Sequence, residues 1–133
     1  MSPMDALCPL CAAAARGGHL AANDHAIAFP DAFPVSPGHA LIVSRRHVAD
    51  LFELSAEEQA ALWALLPDVK AALDVRHAPA AYNVGVNVGA AAGQTVGHVH
   101  VHVIPRYEGD ATDPRGGIRW VLPERAAYWG PTR

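Results

Sequence analysis

The sequence predicts an α+β fold, an antiparallel sheet of about five strands carrying one long helix and one or more short ones. Three observations predict it. Segments 81–89 (AYNVGVNVG) and 97–104 (GHVHVHVI) alternate with the period of two that belongs to half-buried strands. Segment 40–44 (ALIVS) is a short β-branched run bounded by Pro37-Gly38 and Arg45-Arg46. Behind it, leucines and valines recur at helical spacing after Ser55-Ala56-Glu57-Glu58, a capping box in which serine and glutamate side chains satisfy the first backbone donors.

In chain order, residues 1–18 lack the basic start, apolar stretch and small-residue cleavage site of a secretory leader, which predicts a cytoplasmic protein. His19–Asn23 and His25–Phe29 read as short strands that form a meander with 40–44. Leu62, Leu65, Leu66, Val69 and Leu73 define the main helix. Pro67 removes a backbone donor inside it and predicts a kink or break, so no straight rod runs from Ser55 to His77. The strands at 81–89 and 97–104 pair through Ala90–Val96, whose small residues let a ligand approach the backbone. The tail 107–133 has no period and is expected to wrap the domain or meet a second subunit.

The chain has 133 residues, the size of one domain spanning 1–133, with no repeat or linker. With 51% hydrophobic and 17% charged residues it is globular and holds no bilayer-spanning run, so no membrane partner is expected. A net charge of −3 supplies no field to hold a nucleic-acid backbone. A phosphate bound here is small and held locally.

On a regular strand, His98, His100 and His102 share one face while Val99, Val101 and Val103 take the core side. At about 3.3 Å per residue, His98 and His102 stand roughly 13 Å apart, too far to bind one ion. Neighbours such as His98 and His100 remain able to share one. A solvated polar face is the plain alternative, but such faces mix in Ser, Thr, Lys or Glu, and none interleaves here. Imidazole is nucleophilic near neutral pH and a second one can carry a proton, so a row of them suits stepwise group transfer. Gly93, Gln94, Thr95 and Asn87 add neutral donors suited to phosphate oxygens.

The stretch AGQTVGHVHVHVIPR, residues 92–106, resembles the signature of the histidine triad family, His-φ-His-φ-His-φ-φ with φ apolar. The likeness extends to FPDAFPVSPGHALIVSRRHVADLFEL, residues 29–54, and to the N-terminal Cys-x-x-Cys of bacterial members. It implies that His100 attacks the α-phosphorus of a nucleotide, giving a nucleotidyl-histidine that water cleaves to a nucleoside monophosphate. It further implies that His102 contacts the phosphate and assists the leaving group, that a carbonyl near His98 orients His100, and that His39 supports the triad from a facing strand. Asn87, Gly93, Gln94 and Thr95 fall at phosphate contacts, Asp31 at the ribose, and Phe29 and Ile42 at the base pocket. For Phe29 and Ile42 a core role is the competing reading, and for Asp31 a turn role. Gly-Gln-Thr-Val resembles the dinucleoside-polyphosphate hydrolase branch; nucleoside phosphoramidate hydrolysis, or nucleotide sensing with little turnover, are the alternatives. A homodimer is implied, with Trp120, Tyr128 and Trp129 near the partner's site.

Cys8 and Cys11 supply half of a tetrahedral zinc site. A redox pair and two small buried residues are the other readings, but a redox motif opens a helix after a strand, and no strand precedes Cys8. The resemblance completes a structural zinc set of Cys8, Cys11, His47 and His98. No catalytic cofactor is called for. His19, His25 and His77 lack motif context and are expected at surface or turn positions.

Overall fold

The computed structural model describes residues 7–130; the ends of the expected 1–133 domain, residues 1–6 with the start of the leader reading and 131–133, lie outside it. Helix α1 (Pro9–Ala15) is followed by β1 (Ala21–Ala22), β2 (Ala26–Pro30) and β3 (Ala40–Ser44). Helices α2 (Ala56–Ala64) and α3 (Leu66–His77) lead to β4 (Ala81–Val86) and β5 (His100–Arg106). The five strands form one antiparallel sheet in the order β1-β2-β3-β5-β4, as the sequence predicts. No described helix is long and apolar enough to cross a membrane.

Strand boundaries differ from the sequence reading for identifiable reasons. The first strand shrinks to Ala21–Ala22 because Asn23 turns the chain, its Oδ1 accepting the N–H groups of His25 and Ala26. β4 stops at Val86 instead of running to Gly89, where φ reaches 92°. β5 starts only at His100 and continues through Pro105 to Arg106.

Ser55 and Glu58 form the expected capping box at α2. Glu58 also receives Arg46, Nε at 3.0 Å and Nη2 at 2.9 Å, which holds its carboxyl down at about 2 and ties the helix start to the loop after β3. The break expected at Pro67 is present: α2 ends at Ala64 and α3 starts at Leu66, with Leu65 capping both and Pro67 in the first turn of α3, a position that needs no backbone donor.

The two sheet faces bury different things. Leu54, Leu62, Leu65, Val69 and Leu73 pack onto Ala26, Ala28, Ala40, Ile42, Val99, Val101 and Val103, the alanines letting the helices come close. Each fully buried leucine or valine contributes about 1.5–3 kcal/mol. The opposite face carries Ile27, Phe29, Leu41 and Val43 under Cys8 and Leu10 of the N-terminal segment. One face is thus spent on the core, and the other is free to hold polar groups beside a small apolar floor.

The tail folds back on its own domain in 3₁₀ turns at Gly117–Val121 and Pro123–Arg125. Arg119 closes it by donating to the carbonyls of Ala126 and Arg125 and stacking on Tyr128, while Arg115 stacks on Trp129. Trp120 Nε1–H donates to the Arg115 carbonyl.

Candidate functional site

Register places the histidines. His100 stands opposite Val43, and His102 lies between Leu41 on β3 and Gly85 on β4. Val99, Val101 and Val103 go to the helix-side core, and both imidazoles are half-buried on the other face. His98 departs from the expected regular row. It precedes β5, where its N–H donates to Val96 O at 2.9 Å and Val99 N–H to Val48 O at 2.8 Å, bending the chain off β3. Its side chain is buried, 1% exposed, in surroundings of its own.

Hydrogen bonds fix the tautomers. A carbonyl only accepts, so the 2.7 Å contact from His100 Nδ1 to His98 O puts the His100 proton on Nδ1 and leaves Nε2 as a lone pair. Val35 N–H donates to His39 Nδ1 at 3.1 Å, so the His39 proton sits on Nε2. That N–H faces His102 Nδ1 at 3.0 Å, which therefore accepts and leaves the neutral His102 proton on its own Nε2. The rings of His100 and His102 lie 5.0 Å apart. Burial pushes the affinity of His39 for a second proton below the ordinary value, opposed by the Asp31 carboxylate. His102 is lowered too, by burial first and then by His100 and His39, with Asp31 again in opposition.

The other expected contacts divide. Asp31 reaches the site, with Oδ2 at 3.4 Å from His39 Nε2. Phe29 lies on the histidine face in the row Phe29, Leu41, His102. Ile42 does not reach it: fully buried, it points into the helix-side core with Leu62 and Val101, so its burial is packing. Gln94 is committed elsewhere, its Oε1 accepting Gly89 N–H at 2.8 Å and its Nε2 donating to Ala49 O at 2.8 Å and Val96 O at 3.0 Å. It braces the loop. Gly93, with φ 94°, and Thr95 are exposed on that loop, and Asn87 lies at its start. Asn87, Val86, Ile104, Ile118 and Val121 line a cavity of 340 Å³ beside His102 and His39.

The cysteines form a second cluster. Cys8 caps α1, its sulfur accepting Cys11 N–H at 3.4 Å, which is why the Cys-x-x-Cys spacing brings both sulfurs to one point. His98 Nδ1 lies 3.4 Å from each sulfur and 3.3 Å from His47 Nδ1, which is 3.3 Å from Cys11 Sγ. All four ligand atoms lie within 4.8 Å of one another. A tetrahedral zinc ion with bonds of about 2.3 Å to sulfur and 2.0–2.1 Å to nitrogen has ligand edges of roughly 3.3–3.8 Å. The donor set fits. His98 Nε2–H donates to Ser44 O at 2.6 Å, which turns the Nδ1 lone pair toward the cluster.

His25, with no motif, faces Glu57 at 3.4 Å, and His19 and His77 are exposed. Sequence reasoning missed four contributors. Val35 N–H and Ser44 O act through the main chain, which leaves no side-chain signal, and Ile118 and Val121 sit in a tail without period.

A family model described as HIT domain matches residues 17–109. A 16.1 kDa HIT-like protein of Mycoplasma pneumoniae is 43% identical over 86 residues, 65% of this chain and 60% of that protein. The Schizosaccharomyces pombe bis(5′-nucleosyl)-tetraphosphatase (asymmetrical) is 37% identical over 86 residues, 65% of this chain and 47% of the enzyme. The chain thus matches less than two thirds of either protein's length. The crystal structure of a zinc-bound histidine triad family protein from Mycobacterium smegmatis superposes with a TM-score of 0.71 at 28% identity, covering 82% of this chain and 81% of that one.

Proposed function

Because the chain belongs to the HIT domain family, whose model covers more than half of it, we propose that it is a nucleotide hydrolase or nucleotidyl transferase cleaving a dinucleoside polyphosphate at the α-phosphate. The observation that carries the reading is the proton direction at His100: Nδ1–H is tied to the His98 carbonyl, leaving Nε2 as a nucleophile beside His102. In this reading, the His100 Nε2 lone pair bonds to the α-phosphorus while the bond from phosphorus to the leaving group breaks. Protonated His102 gives that group its proton. Water then attacks the phosphorus, the N–P bond breaks, and His102 takes the water's proton as the nucleoside monophosphate departs. His39 holds His102 in place. Asp31 takes the ribose, Phe29 borders the base, and Asn87, Gly93 and Thr95 supply phosphate donors.

Cys8, Cys11, His47 and His98 would hold a structural zinc ion, whose contribution is to clamp the N-terminal segment to the chain that bears His100. The reading includes a cytoplasmic location and a homodimer. The outer edge of β4, last in the described sheet, and exposed Ile118, Val121 and Leu122 support the dimer.

One observation favours a nucleoside phosphoramidate instead: among the described residues no Lys or Arg lines the cavity beside His102, which suits an uncharged amine better than a polyphosphate tail. The test is product analysis with diadenosine tetraphosphate and, separately, adenosine 5′-phosphoramidate, for wild type and His100→Ala. AMP from either substrate, lost in the variant, is expected, and the faster one names the leaving group. Nucleotide binding without AMP release would replace the enzyme by a sensing protein.

A further inference from the structure

We infer that Asp31 is a positioning residue that couples recognition of the ribose to the proton held by the His39–His102 pair, an inference that rests on the nucleotide reading above. His39 has one hydrogen, on Nε2, and two acceptors within reach: His102 Nδ1 at 3.0 Å and Asp31 Oδ2 at 3.4 Å. Nothing about this carboxylate is loose. Its other oxygen, Oδ1, accepts Phe33 N–H at 2.9 Å, and the side chains of His39 and Asp31 are only 3% and 17% exposed.

The two acceptors matter in different protonation states. While His102 is neutral, its Nδ1 accepts from His39. Once His102 takes a second proton on Nδ1, two N–H groups would meet across 3.0 Å, and His39 needs another acceptor. Asp31 supplies it, and its negative charge offsets the new positive one. A cation shared by the three side chains would have to displace the His39 Nε2 proton, because Nδ1 is already engaged by Val35.

The groups facing the pair leave Asp31 in control. From β5 comes His100, from β4 the uncharged Asn83 and Gly85, from the loop after it Asn87, and from the tail Ile118 and Val121. Asp31 is the acid that acts on both rings. Ribose hydroxyls donating to Asp31 draw off its charge and acceptor strength. The doubly protonated His102 ring is then less stabilised and gives its Nε2 proton to the leaving group as the phosphorus bond breaks, keeping the one on Nδ1. A substrate without that diol leaves the proton behind.

The test is an NMR titration of the imidazole nitrogens in the zinc-loaded full chain, for wild type, Asp31→Asn and Asp31→Glu. Asp31→Asn is expected to lower the His102 midpoint by about one pH unit, with Asp31→Glu restoring most of it. In kinetics, the alkaline limb of kcat moves to lower pH by the same amount, whereas a residue that only binds ribose raises KM and leaves the limb in place. Should Asp31→Asn fail to fold, wild type alone decides: the His102 midpoint is lower with AMP bound than with 2′,3′-dideoxy-AMP. Equal midpoints for those two ligands, or for wild type and Asp31→Asn, overturn the inference. The titrations need no turnover, so a chain that releases no AMP yet shows both shifts would refute the hydrolase reading and leave the coupling intact.

Discussion

His39 Nε2 lies 3.0 Å from His102 Nδ1, and the bond runs in one direction because Val35 N–H already occupies His39 Nδ1. A single main-chain donor thus sets the tautomer of a side chain 67 residues further along the chain. Removing the relay releases the His102 ring from its orientation. His39→Ala is expected to lower kcat by about 10²-fold with little change in KM, as a misplaced catalytic group does. His39→Gln, whose amide can still donate to His102, recovers part of the loss. Equal kcat in the two variants would show that a hydrogen donated from position 39 is not what His102 needs.

Gln94 makes three hydrogen bonds to main chain, to Gly89, Ala49 and Val96, and so knots the loop between β4 and β5 to the segment after His47. Gln94→Ala removes all three. The expected result is a loss of about 1–3 kcal/mol in urea unfolding, together with a fall in kcat as the loop bearing Thr95 loses its anchor. A direct phosphate contact predicts something else, a raised KM with unfolding unchanged, and the two measurements together separate the roles.

For the cysteine cluster, metal analysis is expected to give one zinc per chain, lost in Cys8→Ser and in His47→Ala. An ion binding only the folded state, with its free concentration a hundred times its Kd, stabilises by about 2.7 kcal/mol. In a domain of 133 residues that shifts the Tm by roughly 10 °C. A chelator should lower the Tm by that order and added zinc restore it. An unchanged Tm in excess chelator, with the metal shown to be gone, would remove the clamping role.

Much of this was legible in the residues, for reasons that also explain the gaps. The alternation of His100 and His102 with valines marks their face because strand side chains have period two, and Pro67 marks the helix break because a missing N–H is a local fact. His98 shares that alternation yet leaves the row, since the cluster it joins depends on Cys8 and Cys11, far away in sequence. Ile42 and Phe29 both stand in β-branched or aromatic company on neighbouring strands, and only the register shows which face each takes. Gln94 looked like a donor to phosphate because its type permits that; its three main-chain partners come from the folded loop.

Acid stability brings the buried histidines and two ion-paired carboxylates into one curve. His39 and His102 take up protons less readily when folded than at their ordinary value of 6.5, mainly through burial. As pH falls through that value, the unfolded chain gains protons first and the folded state loses ground. Glu58, held by Arg46, and Asp110, held by Arg106, are both depressed to about 2, from 4.5 and 3.8. Their contribution is complete above the ordinary carboxylate range and drains away as pH falls toward 2. Stability should therefore fall in two stages, the first below about pH 6.5 and the second below about pH 4.5. Melting temperatures measured from pH 8 to pH 3 check this, with Glu58→Gln expected to flatten the second stage and leave the first. A Tm that stays level from pH 7 to pH 5 would mean that the two histidines are as easily protonated in the fold as outside it, and the buried relay would lose its physical basis.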